Sequence, residues 1–276
     1  MQRVSRCPWP GMLPCFPAEG EQEAKQQGGI VMGGLFSADA WETVWRYRTT
    51  FLHGLGNTVQ LAVFALLLSL MLGILFGLMS SGGKKLLRAV ARIYVEFVQN
   101  TPLLLQMCFL YYALAFSGHS IGILRTGMIA LGVYHGAYMS EVIRAGIQAI
   151  PRGQTEAAQS QGFGYIGRMY YIILPQSIKI ILPPMVNQVV NLIKNTSCLY
   201  IVGGADLISV TYSFVTGANT GGAYAPAYIV SGILFFIVCF PLSTLASMWE
   251  ISLKKRDAQV NRKLAVGAGG AEEGMV

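Results

Sequence analysis

Three polar side chains share one face of a segment that is otherwise apolar. Asn187, Asn191 and Lys194 are spaced i, i+4 and i+7, so a helix would align them, and Gln188 and Asn195 widen the stripe. Such side chains are costly within a membrane and normally line a bundle interior or a water-filled path. They can therefore contact a polar solute that crosses, although hydrogen bonding between helices is an alternative and Lys194 can instead extend to the outer interface.

Two further features can contribute to such a path. Glu141 lies about ten residues before the end of its predicted helix, which at about 1.5 Å per residue places it near mid-membrane. It can contact a positively charged solute group or form an i, i+3 ion pair with Arg144. Pro102 removes a helix hydrogen bond, so Asn100 and Thr101 can line a broken helix or flank a plain kink.

Two motifs that resemble catalytic signatures fail on their context. Gly118–Gly122 reads G-x-S-x-G, which in hydrolases needs a strand–turn–helix setting and triad partners, whereas here it falls in a short loop between apolar segments. Gly77 and Lys84 are wrongly spaced for a phosphate-binding loop, and no serine or threonine follows the lysine. The cysteine spacing does not indicate a metal site. We therefore predict no catalytic residue, no metal or cofactor bound by this chain, and no ATPase of its own.

The composition places these residues in membrane helices. The chain has 276 residues, of which 53% are hydrophobic and 12% charged, with a mean hydropathy of +0.50. A soluble domain carries about 25% charged residues, roughly twice this share. The net charge of +7 is spread over the ends of apolar runs instead of forming one patch with aromatic residues. This pattern excludes a nucleic-acid-binding surface and indicates membrane topology.

Five segments are long and apolar enough to cross a bilayer as helices: about 56–79, 92–116, 126–150, 172–196 and 224–253. The fourth is interrupted by Pro183-Pro184. Because lipid offers no partner to an open backbone, we predict an all-α integral membrane bundle with five transmembrane helices. Lysine and arginine concentrate after the first, third and fifth segments, which predicts an external N-terminus and a cytoplasmic C-terminus. Gly73–Gly77 and Gly132–Gly136 fit the small-xxx-small pattern of close helix packing.

These assignments divide the chain into three parts. Residues 1–45 are predicted to be an extracytoplasmic extension, disordered over 1–36, where neither helical nor strand periodicity is present. Residues 46–256 form the transmembrane domain, and 257–276 a cytoplasmic tail. A sharper hypothesis is that the natural start is Met32, and N-terminal sequencing that found earlier residues in the native protein would refute it.

A polar stretch joins the third and fourth segments on the predicted cytoplasmic side. Good helix formers occupy 154–161, and Thr155 can cap them. Gly162 and Gly164 can end that helix. A second short helix is predicted to follow and to end before Pro175. Two short helices at an angle would form a rigid protruding lever, whereas the plainer interpretation is an amphipathic loop.

This stretch resembles the EAA signature of ABC-importer permeases. The fixed positions of the signature are occupied, with its spacing, by Glu156, Ala157, Ala158, Gly162, Ile172, Leu174 and Pro175. In that family the element, about 152–171 here, is a coupling helix that sits in a groove of the ATP-binding subunit. The resemblance implies that Glu156 offers a charge-assisted contact, that the two alanines permit close approach, and that Gly162 permits the turn.

Flanking segments are similar to the permeases for polar amino acids of the histidine/glutamine/arginine type. They are Asn100–Gln106 with Tyr111-Tyr112, Ile147–Gln154, and Leu182–Pro184 with Asn187-Gln188. The likeness runs from about 56 to 256 and implies a type I ABC-importer bundle in a bacterial-type plasma (inner) membrane. It also implies two ATP-binding subunits that hold ATP and Mg²⁺, an extracytoplasmic solute-binding protein, and a second permease that is either a copy or a paralogue.

The resemblance also gives the polar residues a candidate substrate. An amino acid is a zwitterion, so Lys194 is predicted to contact its carboxylate and Glu141 its ammonium group. Related permeases often have an acidic residue at the position of Asn195, which would suit basic substrates, and its absence favours a neutral or acidic amino acid such as glutamine or glutamate. The candidate substrate path comprises Asn100, Thr101, Gln106, Glu141, Asn187, Asn191, Lys194 and Asn195.

A secondary transporter or channel that works alone is the alternative function. It predicts internal inverted repeats and usually more spans, and the sequence contains neither. An importer of the ABC type would instead switch between inward-facing and outward-facing states as ATP drives its ATPase subunits together. Dependence of uptake on ATP and on a separate ATPase distinguishes the two.

Overall fold

The computed structural model describes residues 37–119, 121–217 and 223–273. Within these ranges the chain is helical and contains no strand, which confirms the all-α class. The helices are α1 Ala38–Arg46, α2 Arg48–Ser81, α3 Lys85–Gln99, α4 Leu103–Phe116, α5 Ile123–Gln148, α6 Arg152–Ser160, α7 Tyr165–Arg168, α8 Leu174–Asn195, α9 Leu207–Thr216 and α10 Tyr224–Glu273. The predicted disordered extension 1–36 and the hypothetical start at Met32 lie outside the described residues.

Helices α2 and α5 form the tightest seam of the bundle. A Cβ atom placed on Gly73 would lie 2.7 Å from the Cβ of Met139, and one placed on Gly132 would lie 2.6 Å from Leu68. Leu68 of α2 meets Gly132 of α5, and Gly73, five residues later in α2, meets Met139, seven residues later in α5. The residue numbers increase together, so the two helices run in the same direction. The glycines predicted to allow close packing therefore do so, within one chain and between these two helices.

The predicted second span consists of two helices instead of one. Helix α3 begins at Lys85, seven residues before the predicted start at Arg92, and ends at Gln99. Pro102 has an extended backbone (φ −62°, ψ 135°) and precedes α4. A proline in a helix interior removes a hydrogen bond and clashes with the preceding turn, so the helix breaks here instead of merely bending.

Helix α8 runs antiparallel to α5 and passes through both of its internal prolines without interruption, contrary to the sequence prediction. One end of the contact joins Gly146 to Ile181, and the other joins His135 to Asn195. Asn195 is the last residue of α8, and His135 lies halfway along α5. The polar end of α8 therefore lies beside the middle of α5.

A helix that the sequence did not predict lies between the fourth and fifth predicted spans. After α8 the chain forms a 3₁₀ turn, Thr196–Val202, and then the short apolar helix α9. Three helical stretches of the described residues are long and apolar enough to cross a membrane: Arg48–Ser81, Tyr165–Val202 and Tyr224–Leu253. Helices α4 and α9 are apolar but shorter.

A buried polar network fixes α9 against α2. Asp206 is inaccessible to solvent and caps α9, because its carboxylate accepts hydrogen bonds from the Ser209 hydroxyl and, at 3.1 Å, from the backbone N–H of Ile208. Thr58 accepts the backbone N–H of Leu207 at 3.0 Å. Burial raises the pKa of Asp206, and the hydrogen bonds from Ser209 and Ile208 oppose that shift.

We expect Asp206→Ala to lower the free energy of unfolding by roughly 1–3 kcal/mol, because it removes a cap and leaves a buried hydroxyl and an N–H without their acceptor. Thermal melting of the purified chain in detergent, followed by circular dichroism, measures this. Asp39→Ala is the control, since Asp39 is an exposed residue in the first turn of α1. Equal destabilisation by the two substitutions would contradict the role given to Asp206.

Candidate functional site

The segment that carries the EAA signature is a helix closed by a left-handed glycine. Helix α6 ends in a Schellman motif, in which Phe163 donates its N–H to the carbonyl of Ala158 at 3.0 Å and Gly162 donates to Gln159 at 2.9 Å. Gly162 has φ +81°, a conformation that costs other residues energy and glycine little. The fixed glycine of the signature therefore has a backbone reason.

The predicted coupling residues divide into an exposed and a packed group. Glu156 and Ala157 are exposed on α6, whereas Ala158 is 2% exposed because it packs within its own chain. Only Ala157 of the two alanines is thus open to a partner. Leu174 is half-buried and Pro175 exposed, at the beginning of α8.

Two details of this segment differ from the sequence predictions. Helix α6 begins at Arg152, after Pro151, so Thr155 lies inside it and caps nothing. The second helix does not end before Pro175: α7 passes through a π-helical turn, Met169–Ile173, directly into α8. A π turn widens the helix by one residue, and such turns often occur at functional sites. Helical structure therefore runs without interruption from Tyr165 to Val202.

A group of exposed apolar side chains, which sequence reasoning missed, follows α6. It consists of exposed side chains from the turn after α6, from α7 and from the π turn: Phe163, Tyr165, Ile166, Tyr170 and Tyr171. Ile166 is the most exposed of them, at 81%. Clustered exposed apolar residues next to a charged group are typical of protein interfaces. The sequence signal was present as the aromatic-rich run after Gly162, which was predicted only as a second short helix.

A second group of polar residues meets where α8 ends. The side-chain amide of Asn195 lies 3.2 Å from Nε2 of His135, and His135 is 1% exposed. The other ring nitrogen, Nδ1, is also buried, and the side chain of Gln188 is a further hydrogen-bond partner of the ring. His135, Asn195 and Gln188 therefore form a polar group inside the chain, as buried polar side chains normally do. His135 was not among the predicted path residues.

The break between α3 and α4 carries three predicted path residues. The amide of Gln106 donates to the carbonyls of Val98 at 2.9 Å and Thr101 at 3.1 Å, which satisfies groups that the break frees. Thr101 also donates its hydroxyl to Phe97, at 3.0 Å. Asn100 is exposed and donates only to the turn before it. The break between α3 and α4 and the end of α8 therefore both present polar groups.

The stripe of Asn187, Asn191 and Lys194 lies on an open face of the chain. All three side chains are exposed, so they do not line the interior of a single bundle. Lys194 borders a groove of about 460 Å³ between α8 and α10, together with Phe235 and Phe236. The stripe is therefore available to a partner or to a path between two chains.

The two charges predicted to bind opposite ends of a zwitterion line separate pockets. Glu141 forms an ion pair with Arg144, whose Nε lies 2.8 Å from Oε2 of the carboxylate. That pair borders a cleft between α3 and α5, whereas Lys194 borders the groove beside α10. The ion pair weighed at the outset is present, and the two charges do not share one pocket within this chain.

A family model for "Binding-protein-dependent transport system inner membrane component" matches residues 69–250. A probable glutamine ABC transporter permease protein of Bacillus subtilis (strain 168) is 37% identical over 205 residues, which cover 74% of this chain and 94% of that protein. An arginine transport system permease protein of the same organism is 32% identical, covering 75% of this chain and 93% of that protein.

Solved structures agree with these sequence matches. A chain of an amino acid ABC transporter crystallised with histidines has a TM-score of 0.71 and 32% identity, covering 77% of this chain and 98% of that chain. An inward-facing methionine ABC transporter has a TM-score of 0.55 at 16% identity, covering 75% and 97%, and shows likeness of fold alone.

Proposed function

Because the chain belongs to the family of binding-protein-dependent transport system inner membrane components, we propose that it is the permease subunit of an ATP-driven importer of polar amino acids. The observation that carries the proposal is the exposed Glu156-Ala157 pair on α6, closed by the left-handed Gly162. It is the surface that an energy-supplying partner would need, on a chain that has no phosphate-binding loop. Relatives named for glutamine and arginine transport support the substrate class.

The topology of the proposed permease has five crossings. Parallel α2 and α5 require the chain between them to return across the membrane, and α3 with α4 is long enough: 29 residues at about 1.5 Å each exceed the roughly 30 Å of the hydrocarbon core. Helix α8 runs back against α5, and Tyr224–Leu253 makes the last crossing. Lysine and arginine then favour a cytoplasmic side for α6 and the C-terminus.

The partners of the proposed permease follow from its exposed surfaces. Two ATP-binding subunits, each holding ATP and Mg²⁺, would dock on α6 and its aromatic surroundings. A second permease, copy or paralogue, would cover the open stripe of Asn187, Asn191 and Lys194. A solute-binding protein would deliver the amino acid from outside. The setting is a bacterial-type inner membrane, crossed several times.

The substrate would pass the break between α3 and α4 and the polar group at the end of α8. His135 and Asn195 lie at the end of α8, and the break at Asn100-Thr101 offers further polar groups. Interrupted helices that expose polar backbone and side chains are a common device at transport sites. This group is uncharged apart from the nearby Lys194, which favours a neutral or acidic amino acid such as glutamine or glutamate over a basic one.

Reconstitution tests the function directly. The permease is co-expressed with a cognate ATP-binding subunit and solute-binding protein and placed in proteoliposomes. We expect ATP-dependent uptake of radiolabelled glutamine or glutamate. The ATP must be on the side of the membrane that the ATP-binding subunits face, which depends on the orientation of the complex in the proteoliposome. Uptake by the permease alone, without ATP, would instead support the secondary-transporter alternative. If the complex took up no amino acid in a saturable, ATP-driven manner, the proposed substrate class would be rejected.

We expect Asn195→Asp to shift selectivity towards arginine by about tenfold relative to glutamine, because a carboxylate beside the path attracts a cationic side chain. Competition of unlabelled arginine against labelled glutamine uptake measures the shift. Asn191→Asp is the control, because it introduces the same carboxylate on the exposed face of the same helix. If Asn191→Asp shifted selectivity and Asn195→Asp did not, the path would lie along the open stripe of α8.

A further inference from the structure

A polar cleft, here called the inner cleft, opens between α3 and α5 at the end of α2. Its volume is about 570 Å³, within the roughly 300–1,000 Å³ of small-molecule pockets. Three guanidinium groups and two carboxylates line it: Arg88, Arg92, Arg144, Glu96 and Glu141. Ionisable groups within or beside a membrane helix are costly, and they normally face water or a solute. The cleft is therefore open to a polar solute.

Opposite charges alternate around the inner cleft. Arg144 pairs with Glu141 across one turn of α5, and Nε of Arg92 lies 3.3 Å from Glu96 across one turn of α3. Arg88 donates to the carbonyl of Gly82 at 2.9 Å and keeps its charge without a carboxylate partner in the structure's described ranges. The cleft thus presents both signs, with one positive charge in excess. An anionic lipid phosphate would meet two carboxylates here, which opposes its binding.

A polar stripe connects the inner cleft with the polar group around His135 and Asn195. Tyr134, Tyr138, Glu141 and Gln148 follow one another on a single face of α5 at i, i+4, i+7 and i+14. The hydroxyls of the two tyrosines are 3.1 Å apart. All four side chains are at least partly accessible, in contrast to the face of α5 that packs on α2. The stripe begins next to His135 and ends in the cleft.

We propose that the inner cleft is a second binding site for a zwitterionic amino acid, occupied on the way to the cytoplasm. Arg144, assisted by Arg88, binds the α-carboxylate, and Glu141 binds the α-ammonium group. The ion pairs seen in the structure are then the resting contacts, which the two groups of the ligand replace. This inference rests on the proposed function, since it requires amino acids to reach the cleft from the polar group around His135 and Asn195.

The exposure of the inner cleft fits a site of release. The side chains of Arg144 and Glu141 are 32% and 42% exposed, and those of Arg92 and Glu96 are more exposed still. Ion pairs with this accessibility contribute little free energy because water and salt screen them. The site consequently binds weakly and lets the amino acid leave. Because it contacts only the α-amino and α-carboxyl groups of the ligand, it accepts different amino-acid side chains.

A local probe tests the site without relying on transport. Val95 lines the inner cleft on α3, and Phe97 points away from it and is 69% exposed. Val95→Cys and Phe97→Cys are each placed in the full chain with its five native cysteines replaced by serine. The chain is purified in lipid-depleted detergent, and the rate of modification by a charged thiol reagent is measured with and without L-glutamine.

We expect glutamine at about ten times its dissociation constant to slow modification of Val95→Cys by about tenfold, since the free fraction falls by 1 + [L]/Kd. Phe97→Cys should react at an unchanged rate. Glutamine analogues that lack either the α-amino or the α-carboxyl group should not protect at the same concentration. Glu141→Gln and Arg144→Gln should each remove the protection, and the analogues test the same requirement without any change in the cleft.

The inference and the proposed function fail in different ways. If the complex imports glutamine with ATP but Val95→Cys is not protected, the second site is refuted and the proposed function stands. Protection by the analogue without an α-amino group would also refute it, as would protection by added phosphatidylethanolamine in place of glutamine, because the cleft would then hold a lipid headgroup. Absence of ATP-driven uptake of any amino acid would refute the proposed function itself.

Discussion

Reversal of the charge at position 156 is expected to abolish ATP-driven uptake. Glu156 is exposed on α6 with no ion-pair partner among the described residues, so the fold does not depend on it. If α6 docks on the ATP-binding subunit as proposed, a lysine there would replace a charge-assisted contact with a repulsive or unpaired one, and like charges across an interface cost several kcal/mol. We expect co-purification of the ATP-binding subunit to weaken by at least about tenfold, equivalent to roughly 1.4 kcal/mol.

The matched control is Glu42→Lys, a reversal at an exposed position on α1, where only an i, i+4 pair with Arg46 is lost. It should leave ATPase association unchanged. Affinity for the solute-binding protein should be nearly the same in both variants, because that partner binds on the other side of the membrane. Unimpaired assembly of Glu156→Lys with the ATPase would show that α6 does not carry the coupling.

Substitution of Gly73 by leucine is expected to prevent stable folding of the bundle. Its Cβ would lie 2.7 Å from the Cβ of Met139 and 3.4 Å from two backbone atoms of the opposing helix, so the neighbour cannot move aside by rotating a side chain. Overpacking of this kind costs roughly 1–3 kcal/mol or more. We expect lower yield of monodisperse protein in detergent and a lower melting temperature.

Gly56→Leu is the matched control on the same helix, since a Cβ at Gly56 meets nothing within 4 Å. Leucine has a higher helix propensity than glycine by up to about 1 kcal/mol, so this variant should be as stable as the parent or slightly more so. If both variants melted alike, the close contact of α2 with α5 would not contribute to stability.

The helical class, the glycine seam and the turn at Gly162 could be predicted from sequence because each has a local cause. Lipid excludes open backbone, small residues permit close contact, and a left-handed turn favours glycine. The break at Pro102 was anticipated as one of two outcomes. Sequence alone could not choose between a kink and a full interruption, since the choice depends on whether Gln106 can satisfy the freed carbonyls.

Contacts between distant segments explain the larger errors. The partner of Asn195 is His135, 60 positions earlier, and no periodicity within either segment indicates that meeting. Helix α9 was missed because its ten residues are too few to register as a span. The end predicted at Pro175 was wrong for a different reason: the π turn absorbs a proline that an ordinary α-helix would not accommodate so easily.

The uninterrupted helix from Tyr165 to Val202 has a mechanical consequence. A flexible joint at Pro175 would dissipate a displacement made at the ATPase surface, whereas a continuous rod delivers it to the far end. From Tyr165 to Asn195 the rod measures roughly 45 Å at about 1.5 Å per residue, so a tilt of about 10° would swing Asn195 by roughly 8 Å. The helix bends most easily at Pro183-Pro184, because each proline lacks the N–H that would donate a backbone hydrogen bond. If the proposed ATPase docks on α6, the stiffness of this one helix would set how much of the ATPase's motion reaches the substrate.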